Sequence, residues 1–212
     1  MPDYGDLDPP APRSIADVET LLDGGLKTPR AIDPLSIVLV AGPKDHNPGE
    51  HDYPAWQKIW SRLLREAPQT NVEVAWEFPS DDQADSADVM VFYQRGSWNA
   101  ERAVSIDRFL ERGGGLVYIH WAVDGRGEEL EFAKRIGLAC SGGAIAYRHG
   151  PLEVDFSAAG NHPIARNFST IDWIDESYWR LTGDPRRIRL LGASIEEGQP
   201  RPLFWSVERG VG

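Results

Sequence analysis

Between Leu35 and Gly42 the chain reads LSIVLVAG, an uninterrupted apolar run of strand length that ends on a glycine. A strand with no polar alternation must be covered on both faces, which is the situation of a central strand in a parallel sheet. The residues that follow agree. A turn-rich loop, PKDHNPGEHDYP, leads into AWQKIWSRLLREA, where Trp56, Ile59, Trp60, Leu63 and Leu64 recur at helical spacing. The same grammar returns downstream: NVEVAWEF and DVMVFYQ read as strands, AERAVSIDRFLERGG as a helix stopped by glycine, GLVYIHWA as a strand and EELEFAKRIGL as an amphipathic helix. Strands alternating with helices predict an α/β fold around a mainly parallel sheet. In a second half richer in turns, LEVDF, RIRLLGASI and PLFWSV are expected to add antiparallel strands.

Residues 1–13 are acidic and proline-rich and read as a disordered tail. Ser14-Ile15-Ala16-Asp17 has the form of a capping box, so residues 14–34 comprise a short peripheral helix, stopped at Gly24-Gly25, and a linker. Residues 35–212 then form one domain. Its last residues, Glu208 to Gly212, read as a turn with no strand after it, so a truncated C-terminus is expected. With 33 acidic against 22 basic side chains, the formal charge is −11, which repels phosphate backbones and anionic headgroups. No nucleic-acid or membrane partner is expected. The single cysteine, Cys140, excludes an internal disulfide and a cysteine-rich zinc module, and fits a reducing, cytoplasmic location.

Loops that follow parallel strands gather at one edge of the sheet, and ligands bind in the crevice there. Two histidines, His46 and His51, lie in the loop after the first strand, and His120 ends the strand GLVYIH. These three are expected to converge. His149, just before LEVDF, and Glu176, in the polar-aromatic stretch IDWIDESYW, reach the same crevice if the second half folds over it. Neutral imidazoles and a carboxylate are apt ligands for zinc or another divalent ion, and an open position on such an ion polarises water or a carbonyl. The spacing of His46 and His51 is not by itself a zinc signature, and His120 also reads as a packed histidine; its strand-end place favours function. His162, in Asn161-His162-Pro163, reads as a turn residue.

Among the aromatics, Tyr53, Trp56, Trp121 and Tyr178 are candidates to stack on a sugar face, whereas periodicity marks Trp60 and Trp76 as buried. Asp45, Glu50 and Asp52 flank the loop histidines and are placed to orient them or to act as bases, with Asp52 favoured. Gly113-Gly114-Gly115 follows a helix and precedes a strand, so it stops a helix rather than cradling a phosphate, and no nucleotide cofactor is expected. Cys140 lacks the strand-turn-helix elbow of a thiol nucleophile.

The segments VLVAGPKDHNPGEHDYPAW and FLERGGGLVYIHWA, the series GGA, RHGPLEVDF and NHPI, and DESYW resemble the ThuA-like trehalose-utilisation family. The resemblance covers Leu35 onward. It implies a flavodoxin-like three-layer sandwich similar to the class I glutamine amidotransferases, in which the elbow after GLVYI holds His120 in place of their cysteine, so glutamine hydrolysis is not expected. It also implies a role in bacterial sugar metabolism on trehalose or a related 3-oxidised disaccharide, and a divalent metal such as zinc. On that resemblance His46, His51, His120, His149, His162 and Glu176 are carried over as site candidates, with His46, His51, His120 and His149 expected as metal ligands and Glu176, together with the Asp52 favoured by its place in the loop, as catalytic. A carbohydrate-binding or regulatory module using the same crevice is the alternative, and a homo-oligomer is compatible with either.

Overall fold

The computed structural model describes residues 14–22, 34–47, 50–96, 98–141 and 143–209. The expected tail at 1–13, the glycine stop at Gly24-Gly25 and the end of the chain from Gly210 lie outside the described residues. The expected capping box is present: the Asp17 backbone N–H donates to Ser14 Oγ at 3.1 Å, Ser14 N–H donates to the Asp17 carboxylate at 3.2 Å, and helix α1 runs Ile15–Leu22.

Strand β1 (Leu35–Ala41) is followed by helix α2 (Tyr53–Arg65), strand β2 (Thr70–Trp76), helix α3 (Asp81–Ser86), strand β3 (Val89–Tyr93), helix α4 (Ala100–Glu111) and strand β4 (Gly115–Tyr118). These strands form a parallel sheet in the order β2-β1-β3-β4, and the order reverses at β1. The apolar run therefore sits in the middle, with Leu39, Val40 and Ala41 essentially inaccessible. Successive residues of β1 point to opposite sides. Val38 and Val40 join Met90, Phe92, Ile106, Phe109 and Phe132 in the main core, under α3, α4 and helix α5 (Glu129–Ile136). Ile37 and Leu39 pack with Val72, Trp56 and Leu64 under α2. α5 stops at Gly137, whose φ of 90° lies in the left-handed region that glycine enters without strain.

The second half adds a two-stranded piece, β5 (Leu138–Ala139) with β8 (Thr182–Gly183), and an antiparallel sheet in the order β10-β9-β6-β7. β6 spans Ala146–Asp155, β7 Thr170–Trp179, β9 Arg189–Glu196 and β10 Gln199–Ser206. Leu152, Val154, Phe156, Ile171 and Leu191 form its own core. Two sequence expectations change here. β6 starts at Ala146 rather than near Leu152, which takes His149 into the strand, and the polar-aromatic stretch around Glu176 is a full strand paired with it. A third concerns GLVYIHWA: the strand ends at Tyr118, and His120–Val123 form a 3-10 turn.

Trp60 and Trp76, expected in the core, are 46% and 53% exposed. Periodicity places each in an apolar pattern, but Trp60 lies on the outer flank of α2 and Trp76 at the end of the edge strand β2, and both stay about half exposed.

Candidate functional site

The loop after β1 is pinned at its far end. Asp52 accepts the Ala55 backbone N–H at 3.2 Å and caps α2, Pro54 occupies the first turn, and Tyr53 is wholly buried. That anchoring turns His51 inward with φ at +43°, a left-handed conformation. His120 has φ at +55°, immediately after the extended Ile119, so the chain leaves the sheet sharply and the imidazole stands at the carboxyl edge of β4. Such backbone costs about 1–3 kcal/mol per residue and persists where surrounding structure holds it. The third contributor is β7, whose Glu176 and Tyr178, two residues apart, share one side. The register sets His149 opposite Glu176 and Tyr147 opposite Tyr178.

The three segments meet. His120 Nε2 lies 2.9 Å from His51 Nε2 and 3.3 Å from Glu176 Oε2, and the Tyr178 hydroxyl, 3.2 Å from His120 Nε2, donates to Glu176 Oε2 at 2.7 Å. The Tyr178 ring stacks on His120 with centroids 4.9 Å apart, and Trp121 packs beside it at 5.4 Å. His149 Nε2 meets the other carboxylate oxygen of Glu176 at 2.8 Å. On the opposite flank, Asp45 Oδ1 takes His46 Nδ1 at 2.8 Å and His51 Nδ1 at 3.2 Å, and the Tyr53 hydroxyl also reaches His51 Nδ1 at 3.1 Å.

These contacts decide the tautomer of His51. A proton on Nδ1 is held by Asp45, which leaves the Nε2 lone pair directed at His120. Burial, then the proximity of His120 and His46, lowers the pKa of His51 and favours this neutral form, against the pull of Asp45. Burial works to raise the pKa of Glu176, but hydrogen bonds from His120, Tyr178 and His149 outweigh it and hold the carboxyl down at about 2. Asp45 behaves alike: burial opposes ionisation, and the two imidazoles prevail. Burial, reinforced by the Glu176 carboxylate, pushes the Tyr178 phenol far above its ordinary value, so it stays a donor.

One proton on His120 Nε2 can serve either His51 Nε2 or Glu176 Oε2, not both. A cation would serve all three. His51, His120 and Glu176 each offer one ligand atom within 4.8 Å of the others, and ligands about 2 Å from a shared ion lie no more than roughly 4 Å apart, as the 2.9 and 3.3 Å pairs do. The donor set of two imidazoles and a carboxylate suits zinc or a similar divalent ion. His46, with Asp45 and His51, forms an adjoining group, its ring 3.8 Å from His51.

Of the residues singled out in the sequence, His51, His120, Glu176 and Tyr178 meet directly, with His46 and His149 one contact away. Tyr53 is buried beneath His51 and Trp56 is half-buried against Tyr93, so neither ring is presented as a stacking face. Among the flanking carboxylates it is Asp45 that meets the imidazoles, while Asp52 is committed to its cap. The Asp52-Tyr53-Pro54 start of a helix is the available signal for that division of labour. His162 is buried in its turn, taking the Ile164 N–H on Nδ1 at 3.3 Å. Cys140 is fully buried in β-bridge contact with Asp124, and burial with that carboxylate nearby pushes its thiol up to about 12, which makes it a poor nucleophile.

A family model described as ThuA, trehalose utilisation, matches residues 38–212. No functionally curated protein matches the chain. Among solved structures, a ThuA-like protein of Bacteroides uniformis ATCC 8492 is similar at a TM-score of 0.65 and 14% identity, covering 86% of this chain and 82% of its own. A ThuA-like protein of Parabacteroides merdae ATCC 43184 is similar at a TM-score of 0.65 and 17% identity, covering 84% of this chain and 76% of its own. At such identities the likeness speaks to the fold, and it agrees with the flavodoxin-like arrangement described above. The family match spans most of the sequence, from the middle of β1 onward, and the chain belongs to the ThuA trehalose-utilisation family.

Proposed function

We propose that this ThuA-family protein is a metal-assisted enzyme of sugar metabolism, acting on trehalose or a related 3-oxidised disaccharide, with a divalent ion such as zinc held by His51, His120 and Glu176. The observation that carries the reading is the meeting of two imidazole Nε2 atoms and a carboxylate oxygen, drawn from the β1 loop, the β4 elbow and β7, around too few protons. When bound, the ion would polarise a sugar oxygen or a water. Asp45 fixes the tautomer of His51, and His149 steadies the second oxygen of Glu176. Tyr178, kept protonated, donates a hydrogen bond at the site, and its ring with those of Trp121 and the exposed Tyr147 offers apolar faces to a sugar.

The test is turnover of trehalose and of 3-oxidised disaccharides by native, chelator-treated and reconstituted protein. Loss of turnover on chelation and its return with the ion are expected. Saccharide binding that survives chelation, with no turnover of any disaccharide, would instead identify a non-catalytic binding module.

A further inference from the structure

The two sides of the parallel sheet are covered unequally. On the side that carries α3, α4 and α5, Met90 and Phe92 of β3 are inaccessible. On the other side the register aligns Val74, Leu39, Val91 and Val117 in one row across β2, β1, β3 and β4. Leu39 is 1% exposed beneath α2, whereas the two ends of the row, Val74 and Val117, are 45% and 43% exposed. α2 lies over β1 and β2, since Gln57 donates to the carbonyls of Leu39 and Ala75 and Arg65 to that of Val72. Trp56 on its opposite flank packs its ring 5.2 Å from Tyr93 of β3. Trp60 and Leu63, four and seven residues on, continue that flank and are exposed. A trough is thus formed with Trp60 and Leu63 on one wall and β3–β4 on its floor. Parallel sheets are normally covered on both faces, so this trough lacks an occupant among the described residues.

We propose that α1 of the same chain seats in this trough. Apolar residues recur at positions 15, 18 and 22, the spacing of one helix side, and Ile15 is 79% exposed in the structure. A helix of this length is marginal in water without a surface to pack on. The chain leading from it ends at the foot of β1, where the Leu35 N–H donates to Gln69 O at 2.8 Å, beside the C-terminal end of α2. Residues 23–34, at about 3.4 Å each, reach roughly 40 Å, enough to place α1 anywhere along the trough. Docking would close the side of the sheet opposite the main core without touching the histidine cluster at its edge.

The experiment pairs Ile15→Cys with Val117→Cys in the full chain; the native Cys140 is buried and silent. Mild oxidation at micromolar protein, read by peptide mass spectrometry, should give a 15–117 link within one chain. Its yield should exceed by roughly ten-fold that of a control pairing Ile15→Cys with Val104→Cys, on exposed α4 in the opposite layer, because docking raises the effective concentration at one site only. Equal yields in the two variants, no link, or a link between chains, which would mean that a second copy fills the trough, would overturn the assignment.

Discussion

The β6–β7 hairpin has a carboxylate cluster on each side, and the two are built from different kinds of partners. Beneath it, Glu196 of β9 is 3% exposed; Oε1 accepts Ser177 Oγ at 2.7 Å and Ser194 Oγ at 3.1 Å, and Oε2 accepts Arg148 Nε at 2.7 Å. Every partner is a permanent donor, so the cluster is complete and has no reason to exchange anything. Above it, Glu176, adjacent to Ser177 in sequence, faces His120, His149 and Tyr178, and behind them His51. Imidazoles hold or surrender a proton near neutrality, and two of them point nitrogens at each other. Neighbouring residues of one strand thus serve a closed structural cluster on one side and an open, electron-rich one on the other. The difference lies in whether the donors suffice, which is why only the upper cluster invites a cation.

The comparison is broken most severely by His120→Ala. Removing the imidazole shared by His51 and Glu176 should lower zinc affinity by more than about 100-fold, beyond the 10–100-fold typical of an orienting partner, while leaving the circular dichroism spectrum unchanged. Asp45→Asn should lower zinc affinity by about 10–100-fold, since the His51 tautomer is no longer imposed. Full affinity in that variant would show that the β1 loop orients the imidazole unaided. Glu196→Gln should leave metal content untouched and destabilise the fold by about 1–2 kcal/mol in urea unfolding, the scale of a buried charge-assisted hydrogen bond. A change in metal content there would mean that the two sides of the hairpin are not independent.

The smallest effect is on acid stability of the metal-free protein. His51 has its pKa lowered from 6.5 by burial and by the neighbouring imidazoles, and Glu176 is held at about 2 against an ordinary 4.5. In both cases the folded state binds fewer protons than the unfolded chain. Stability is therefore full above about 6.5, begins to fall as His51 meets acid, and falls further between about 4.5 and 2 as Glu176 is protonated. Glu176→Gln should flatten the lower part of a plot of Tm against pH and leave the upper part. An unchanged lower limb would sink the hydrogen-bond account of that carboxyl.

Much of this arrangement can be read without coordinates, and the exceptions have definite causes. β1, β3 and α4 follow from apolar runs and helical periodicity because each contributes its pattern to the packing of one sheet, and the periodicity of α2 also gives its helix although Ile59, Trp60 and Leu63 of that pattern stay exposed. The convergence of His51 and His120 follows from the rule that loops after parallel strands share an edge. Residue type favours Asp52 where the structure uses Asp45, because it cannot say which of three loop carboxylates points inward; the helix cap takes Asp52 out of the choice. β7 is hidden because its two sides carry polar residues for different reasons, Glu176 for the site and Ser177 for Glu196, which erases the alternation that marks a strand. Trp60 and Trp76 read as interior because periodicity identifies an apolar flank but not whether anything covers it.

The central claim is that His51, His120 and Glu176 form one metal centre. Calorimetric titration of chelator-stripped protein with zinc tests it directly. The account predicts saturation at a single equivalent per chain, abolished alike by His51→Ala and by His120→Ala. Absence of binding by zinc and by other first-row divalent ions, or binding that both substitutions leave intact, would contradict it.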